Sequence, residues 1–310
     1  MESLLSLAFD NLSSFDGSKI KKGLKQVEGL LAQICLSGPS PNNNHRSSQS
    51  QLHQQPQRKV LSDLSPDPAF REFFKLQEGF EWNVAQRLLT TLDWLVVRGG
   101  DGHYDLLIVN ALDLIQGVLL LHPPSKILFS RSVHMNLLLD LLEPINSPVI
   151  QSATIITLVV ALLDVPQNMR VFEQLDGLLT ITSLFKSRET GREVKFRLTE
   201  FLYFYLTPET PTVPKANGQQ KLLAQSPSKV AAKVLGVNGK EKSSSSSSSG
   251  NSSGNESGGG GGGGSAVGGG VNNTLSVEAK KQFVDRYLPG VVDELLKDLD
   301  TYKPFAGVLS

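Results

Sequence analysis

The chain has 310 residues, 39% of them hydrophobic, and its 30 basic side chains balance its 30 acidic ones. Such a balance provides no net field to attract a polyanion, so we expect no nucleic-acid partner. The single cysteine, Cys35, excludes an intrachain disulfide and is typical of a reducing compartment. Glu2 is the only charged residue before the first leucines, so a secretory signal with a basic start is not expected. The composition therefore indicates a cytosolic or nuclear protein.

The first foldable segment is a predicted N-terminal helical pair at residues 1–37. Apolar residues recur at helical spacing in 1–12 and again in 19–35, and we expect two antiparallel helices joined near Asp16. Residues 38–60 are rich in Pro, Asn, Ser and Gln, and their few apolar side chains cannot offset the entropy of ordering the segment. We therefore predict a disordered loop at 38–60.

Residues 61–206 are predicted to form the helical core, because amphipathic segments follow one another with short Pro or Gly breaks. Ser147 and Pro148 are typical of an N-cap and a first-turn proline for a helix that ends at Leu163. This helix is apolar on most sides, but it is shorter than the ~20 residues of a membrane span and longer than a buried strand. A central buried helix is therefore favoured over both alternatives. The predicted helices span residues 69–77, 82–98, 104–121, 131–142, 147–163, 168–185 and 190–206.

The spacing of these helices indicates the fold class. Helix pairs that recur about every 40 residues are typical of an α-solenoid. One segment is similar to the armadillo-type pattern, in which an asparagine opens a short helix, a phenylalanine fills the core and a glycine permits a sharp turn. That segment contains Asn168, Arg170, Val171, Phe172, Gly177, Leu178, Leu179 and Leu184. We therefore predict an all-α, armadillo-like α-solenoid of antiparallel helices.

The end of the chain combines a linker with one more amphipathic helix. Residues 207–275 contain several prolines, the run Ser243 to Ser249 and the run Gly258 to Gly264, so we predict a disordered Ser/Gly-rich linker. Residues 276–310 carry an apolar stripe that needs a surface to cover, with a bend at Pro289. We expect this C-terminal helix to return to the core and to pack against the aromatic residues at 201–205.

The sequence contains no recognisable catalytic motif. A phosphatase of the protein-tyrosine type needs an arginine six positions after its cysteine, whereas Cys35 is followed at that offset by Pro41. The sequence Gly239-Lys240-Glu241 lacks the Ser or Thr of a phosphate-binding loop. The five histidines show no metal-ligand spacing. We therefore expect a protein that is not an enzyme, with no cofactor, no metal and no small-molecule substrate.

Two features are candidates for partner binding. The first is a basic cluster, which could receive an acidic or phosphorylated segment but could also be a solvated face paired with neighbouring glutamates. This cluster contains Lys186, Arg188, Arg192 and Lys195. The second is the tryptophan pair Trp82 and Trp94, which could anchor an interface or pack in the core.

Three hydroxyl residues are candidates for phosphorylation by proline-directed kinases. Thr207, Thr210 and Ser226 each precede a proline in the predicted linker. Added phosphate in such a segment could regulate its contacts.

Five segments together resemble a fungal family, the cell division control protein fourteen family, which is the non-phosphatase component of the septation initiation network. They are Met1 to Leu36, Phe70 to Trp94, Pro148 to Phe185, Glu193 to Leu206 and Lys280 to Leu299. The resemblance implies a non-catalytic partner of a germinal-centre-type protein kinase. It also implies association with the spindle pole body in the cytoplasm and a role in septum formation and cytokinesis.

Two functional hypotheses follow from these observations. The first is a scaffold or regulatory subunit that binds the kinase and helps to place it among spindle pole body components. The alternative is a general armadillo-like adaptor that binds peptide motifs or cargo without a dedicated kinase. Both use the large preformed surface that a solenoid offers to a partner.

Overall fold

The computed structural model describes residues 1–36, 59–99, 102–209 and 274–302. All elements that it defines in these ranges are helices, which confirms the all-α fold class. The predicted loop lies mostly outside the described residues, as do the linker from residue 210 onwards and the end of the chain after Tyr302. The elements are α1 (Glu2–Leu12), α2 (Gly17–Cys35), α3 (Leu61–Leu64), α4 (Pro68–Gln77), α5 (Val84–Arg98), α6 (Asp105–Leu121), a 3₁₀ helix (Pro123–Ser130), α7 (Ser132–Asp140), α8 (Pro148–Leu162), α9 (Pro166–Gln174), α10 (Gly177–Lys186), α11 (Arg192–Leu206), α12 (Val277–Asp285) and α13 (Val291–Tyr302).

The N-terminal helices α1 and α2 pack against each other through apolar faces. Leu12 on α1 and Leu24 on α2 are buried, and the Leu12 side chain lies beside Gly23 of α2. The turn between the helices ends at Asp16, whose carboxylate accepts hydrogen bonds from the backbone amides of Ser18 and Lys19 at 2.8 and 3.2 Å. Asp16 therefore caps the first turn of α2, where free amides need an acceptor.

Helices α2, α6, α8 and α11 form one layer, in which each helix packs against the next. A second layer covers it: α5 packs on α6, the 3₁₀ helix and α9 pack on α8, and α10 packs on α11. Helices α12 and α13 both pack on α11, which would otherwise end the first layer with an open side. The result is a two-layer helical solenoid in which the C-terminal segment covers the last helix of the core.

Helix α8 is the centre of this arrangement. Ile155, Leu158 and Ala161 are almost fully buried, as the apolar sequence predicts. The buried hydroxyl of Thr157 donates to the Ala153 carbonyl at 2.9 Å and accepts from Gln116 of α6, so it is satisfied within the core. Ser147 lies at the N-cap position, but its side chain makes no capping hydrogen bond. Among the described residues, none of the helices has the length and apolar character needed to cross a membrane.

The segment predicted as one helix at 168–185 consists of two helices, α9 and α10. Asp176 between them adopts a left-handed backbone with φ of 56°. A Cβ atom at Gly177 would lie 2.2 Å from the Phe172 ring, so the close approach requires glycine. The buried side chain of Asn168 donates to the carbonyls of Lys126 and Ala161, both at 2.7 Å, and so joins α9 to the 3₁₀ helix and α8.

The predicted single C-terminal helix is likewise divided, since α12 ends at Asp285 and α13 begins at Val291. Gly290 between them has φ of 82°, a conformation that L side chains rarely adopt. Val284 on α12 and Val292 on α13 are fully buried. The break therefore lets both short helices present an apolar face to α11.

Candidate functional site

An open depression near one end of the solenoid is lined mainly by aromatic side chains. We call it the aromatic surface; its residues are Phe15, Trp94, Arg98, His103 and Tyr104. The ring centroids of Phe15 and Trp94 are 5.9 Å apart, those of Trp94 and Tyr104 are 5.7 Å apart, and those of His103 and Tyr104 are 4.9 Å apart. Phe15 is 69% exposed, so the stack ends in solvent rather than in the core.

Three local structures bring these side chains together. Phe15 comes from the α1–α2 turn and has a left-handed backbone with φ of 56°, which is strained for an aromatic residue. Trp94 and Arg98 lie one turn apart on α5, and Tyr104 immediately precedes α6. The Tyr104 ring would be 2.8 Å from a Cβ atom at Gly17, so the missing side chain at Gly17 lets the ring lie against the turn.

The chemistry of the aromatic surface is that of a binding surface. Tryptophan, tyrosine and arginine are the residues that most often dominate the energy of protein interfaces. Arg98 is exposed, and none of the salt bridges among the described residues involves it, so its guanidinium adds a cation to this surface. The depression therefore combines flat apolar area with one cation.

Trp82 has a different environment from Trp94. Its ring stacks on Phe9 of α1, with centroids 6.3 Å apart and planes inclined by 26°. The Arg87 guanidinium lies 5.0 Å from the centre of the Phe9 ring, and the Trp82 carbonyl accepts a hydrogen bond from Gln77. These contacts hold Trp82 in the packing between α1 and the start of α5.

The basic cluster lies where α10 ends and α11 begins. Lys186, Arg188 and Arg192 are exposed, and Lys195 is half-buried. In the described part of the chain, none of the four forms a salt bridge with Glu189 or Glu193. The cluster is thus a solvent-facing group of cations.

A buried ionic cluster joins the C-terminal segment to the core, and we call it the C-terminal junction. Its residues are Arg170, Glu173, Tyr205, Glu209 and Lys280. The Lys280 ammonium, 1% exposed, lies 3.2 Å from the Glu209 carboxylate and donates to the carbonyls of Tyr205 and Thr207 at 2.9 and 3.0 Å. Arg170 donates to Glu209 at 2.5 Å and lies 3.2 Å from Glu173, which accepts a 2.7 Å hydrogen bond from the Tyr205 hydroxyl.

The charges of the C-terminal junction balance, since two cations face two carboxylates. Burial lowers the pKa of Lys280, while the nearby Glu209 acts in the opposite direction. Burial also raises the pKa of Glu173, which the hydrogen bond from Tyr205 opposes. Buried ions of this kind persist only when they are paired and hydrogen-bonded. The junction therefore specifies how α12 sits on α11.

The described residues contain little that could serve as a catalytic or metal centre. Within the described ranges, no group of three or more His, Cys, Asp or Glu side chains is placed to hold a metal ion. Burial raises the pKa of the Cys35 thiol, which disfavours the nucleophilic thiolate.

The three predicted phosphorylation sites differ in position. Thr207 is half-buried directly after α11, whereas Thr210 and Ser226 lie outside the described residues. Reasoning from sequence missed Phe15 and Tyr104 as neighbours of Trp94, because they come from other segments that only the fold brings to α5. Arg98 was also missed, although its position one turn after Trp94 on the same helix was a local signal. It also missed the pairing of Lys280 with Glu209, for which a lone lysine on an amphipathic helix provides no signal.

Comparison with known proteins identifies the family. The family model described as Cell division control protein 14, SIN component, matches residues 1–305. The curated protein "Cell division control protein 14" of Schizosaccharomyces pombe is 30% identical over 217 residues, which cover 67% of this chain and 80% of that protein. No solved structure matches the chain significantly. The chain therefore belongs to the Cell division control protein 14 family of septation initiation network components, and its role lies in septation initiation.

Proposed function

We propose that the protein is a non-catalytic scaffold or regulatory subunit that binds a germinal-centre-type protein kinase in the septation initiation network. In this role it places the kinase at the spindle pole body, from the cytoplasm, and promotes septum formation and cytokinesis. The observation that carries the proposal is the aromatic surface, where a rigid solenoid exposes Trp94, Tyr104 and Arg98 side by side. A preformed surface of this kind loses little entropy when a partner binds.

The aromatic surface and the basic cluster have different roles in the proposed binding. The aromatic surface supplies flat apolar area, so its contacts are expected to determine how long the partner stays bound. The basic cluster presents exposed cations such as Arg192, which attract acidic or phosphorylated segments and speed association at low salt. Binding through both would give one dedicated partner rather than many weak ones.

The experiment is co-purification of the full chain with the kinase, in wild type and in the variant Trp94→Ala. We expect Trp94→Ala to weaken kinase binding by about 30-fold or more, which corresponds to ~2 kcal/mol for an interface anchor. The matched control is Phe80→Ala, which removes a phenylalanine that is 84% exposed and lies outside the aromatic surface. The exposed variant Arg98→Glu tests the same surface without opening a gap beside the core.

Three results would count against this proposal. Unchanged kinase binding in both Trp94→Ala and Arg98→Glu would exclude the aromatic surface as the contact. An equal loss in Phe80→Ala would mean that the effect is not specific to that surface. A broad set of substoichiometric partners without a kinase would favour the adaptor alternative instead.

A further inference from the structure

Thr207 occupies a position inside the contact between the core and the C-terminal helices. It is the first residue after α11, and its backbone is extended, with φ of −68° and ψ of 150°. The Thr207 hydroxyl donates to the Phe204 carbonyl at 2.6 Å, and the Thr207 carbonyl accepts from Lys280 at 3.0 Å. Pro208 follows, and Glu209 of the C-terminal junction is two residues further along the chain.

We propose that Thr207 is a phosphorylation site for a proline-directed protein kinase and that its phosphate releases α12 and α13 from α11. In the reaction the Thr207 hydroxyl oxygen attacks the γ-phosphorus of ATP. The bond from that phosphorus to the bridging oxygen breaks, ADP leaves, and the hydroxyl proton passes to a base of the kinase. The proposal concerns the C-terminal junction and does not depend on which partner the aromatic surface binds.

Phosphate at Thr207 conflicts with the contacts that surround the hydroxyl. The hydroxyl is a donor to the last turn of α11, whereas a phosphate dianion has only acceptor oxygens at neutral pH. The carboxyl end of a helix carries partial negative charge, which repels an added anion. The Glu209 carboxylate adds to that repulsion, and Lys280 is already engaged by two carbonyls and Glu209.

A kinase can reach Thr207 only when the C-terminal junction has opened locally. Tyr205 and Leu206 are buried in the last turn of α11, yet a kinase must grip residues on both sides of its target in an extended conformation. Thr207, Pro208 and Glu209 line a small open cleft beside Lys280, and Pro208 is exposed, so one side of the segment already faces solvent. The kinase would therefore act on molecules whose junction has opened locally, and the phosphate would then prevent closure.

Release of α12 and α13 has a specific structural consequence. Val284 and Val292, which are fully buried, become exposed, and the ring of Tyr205 on α11 loses the Lys280 ammonium that lies 5.2 Å from its centre. Phosphorylation at one residue thereby converts a closed end of the solenoid into an exposed aromatic helix face. That face would be available to a partner only in the phosphorylated protein.

The test compares the full-length wild type with Thr207→Val, each before and after treatment with a proline-directed kinase and ATP. Peptide mapping by mass spectrometry locates the phosphate, and hydrogen exchange reports the protection of residues 277–285. Because other Ser-Pro and Thr-Pro sites are modified equally in the two proteins, the difference between them isolates Thr207. The untreated Thr207→Val protein measures any effect of losing the hydroxyl itself.

We expect phosphate on Thr207 of the wild type and exchange in α12 that is faster by at least about tenfold, as the loss of a charge-assisted contact predicts. Treated Thr207→Val should exchange at its untreated rate. The proposal is overturned if mapping finds no phosphate on Thr207. It is also overturned if phosphorylated α12 exchanges at the same rate or more slowly, since that would mean that Lys280 and Arg170 accommodate the phosphate and strengthen the junction.

Discussion

The two ends of the solenoid are closed in different ways. At the N-terminal end, α2 follows α1 after a short turn, and the pair is held by apolar residues such as Leu12 and Leu24. At the C-terminal end, α12 arrives after residues 210–273 and is fixed by the buried charges of Lys280 and Glu209. A short turn already limits where the second helix can pack, whereas a distant segment needs contacts that specify one position. Closure of the far end therefore depends on buried charge, which is why we expect the phosphate proposed at Thr207 to open it.

The largest expected effect is a loss of stability that is confined to the C-terminal end. Replacement Lys280→Met removes the cation that joins Glu209 to the carbonyls of Tyr205 and Thr207. Loss of one partner from a buried ion pair costs about 3 kcal/mol or more, so the free energy of opening α12 should fall by that amount. Hydrogen exchange should show faster exchange in α12 and α13 and unchanged protection in α1 and α2.

Lys281→Met is the matched control for this change. Lys281 is the next residue on α12, and its side chain pairs with Asp293 at 2.5 Å in solvent. Exposed ion pairs of this kind add little stability, so exchange in α12 should barely change. Equal effects of the two lysine replacements would refute a special role for the buried charge.

A smaller effect tests the apolar packing at the N-terminal end. A Cβ atom at Gly23 would lie 2.9 Å from the Leu12 side chain and 3.0 Å from the Ala8 carbonyl, so α1 would have to move. Overpacking of this kind costs about 1–3 kcal/mol, and Gly23→Ala should lower the free energy of unfolding accordingly. Denaturant unfolding measures the change.

Gly29→Ala is the control for the helix itself, since Gly29 is exposed on α2 and a Cβ atom at this position would meet no other atom within 4 Å. An alanine there should stabilise the protein by up to about 1 kcal/mol, because glycine weakens helices. If Gly23→Ala is also stabilising, the close approach of α1 and α2 is not a constraint on packing.

Acid should weaken the middle of the solenoid, between its two ends. Burial lowers the pKa of His122 from 6.5 to about 4, so the folded protein holds this side chain neutral. The unfolded chain binds the proton more readily, and the stability that neutral His122 contributes is present above pH 6.5 and lost as the pH falls towards 4. At pH 5 the loss amounts to about 2 kcal/mol.

Denaturant unfolding of the wild type and of His122→Gln between pH 7 and pH 5 tests this expectation. The variant removes the titrating ring, so its stability should depend less on pH over that interval. Parallel curves for the two proteins would contradict the assignment to His122. Hydrogen exchange at pH 5 should meanwhile show no selective opening of α12, in contrast to Lys280→Met.

The sequence alone determined most of the helical elements, because their signals are local. The period of apolar residues and the Pro and Gly breaks predicted α5, α6, α8 and α11 to within a few residues. The apolar character of the segment at 148–162 also predicted a central buried helix. An unpartnered apolar stripe near the C terminus predicted that this segment returns to the core.

Which side chains meet depends on how distant segments pack together. The 3₁₀ helix at Pro123–Ser130 was not predicted, and the turn that Gly177 indicates did not by itself show that Asp176 adopts a left-handed backbone and divides the segment into two helices. Trp82 and Trp94 are equivalent candidates in the sequence, yet one packs on Phe9 and the other lines an open surface. Lys280 is an ordinary helical lysine until the fold places Glu209 beside it. Periodicity is a property of neighbouring residues, whereas burial and charge pairing are properties of residues that are distant in the chain.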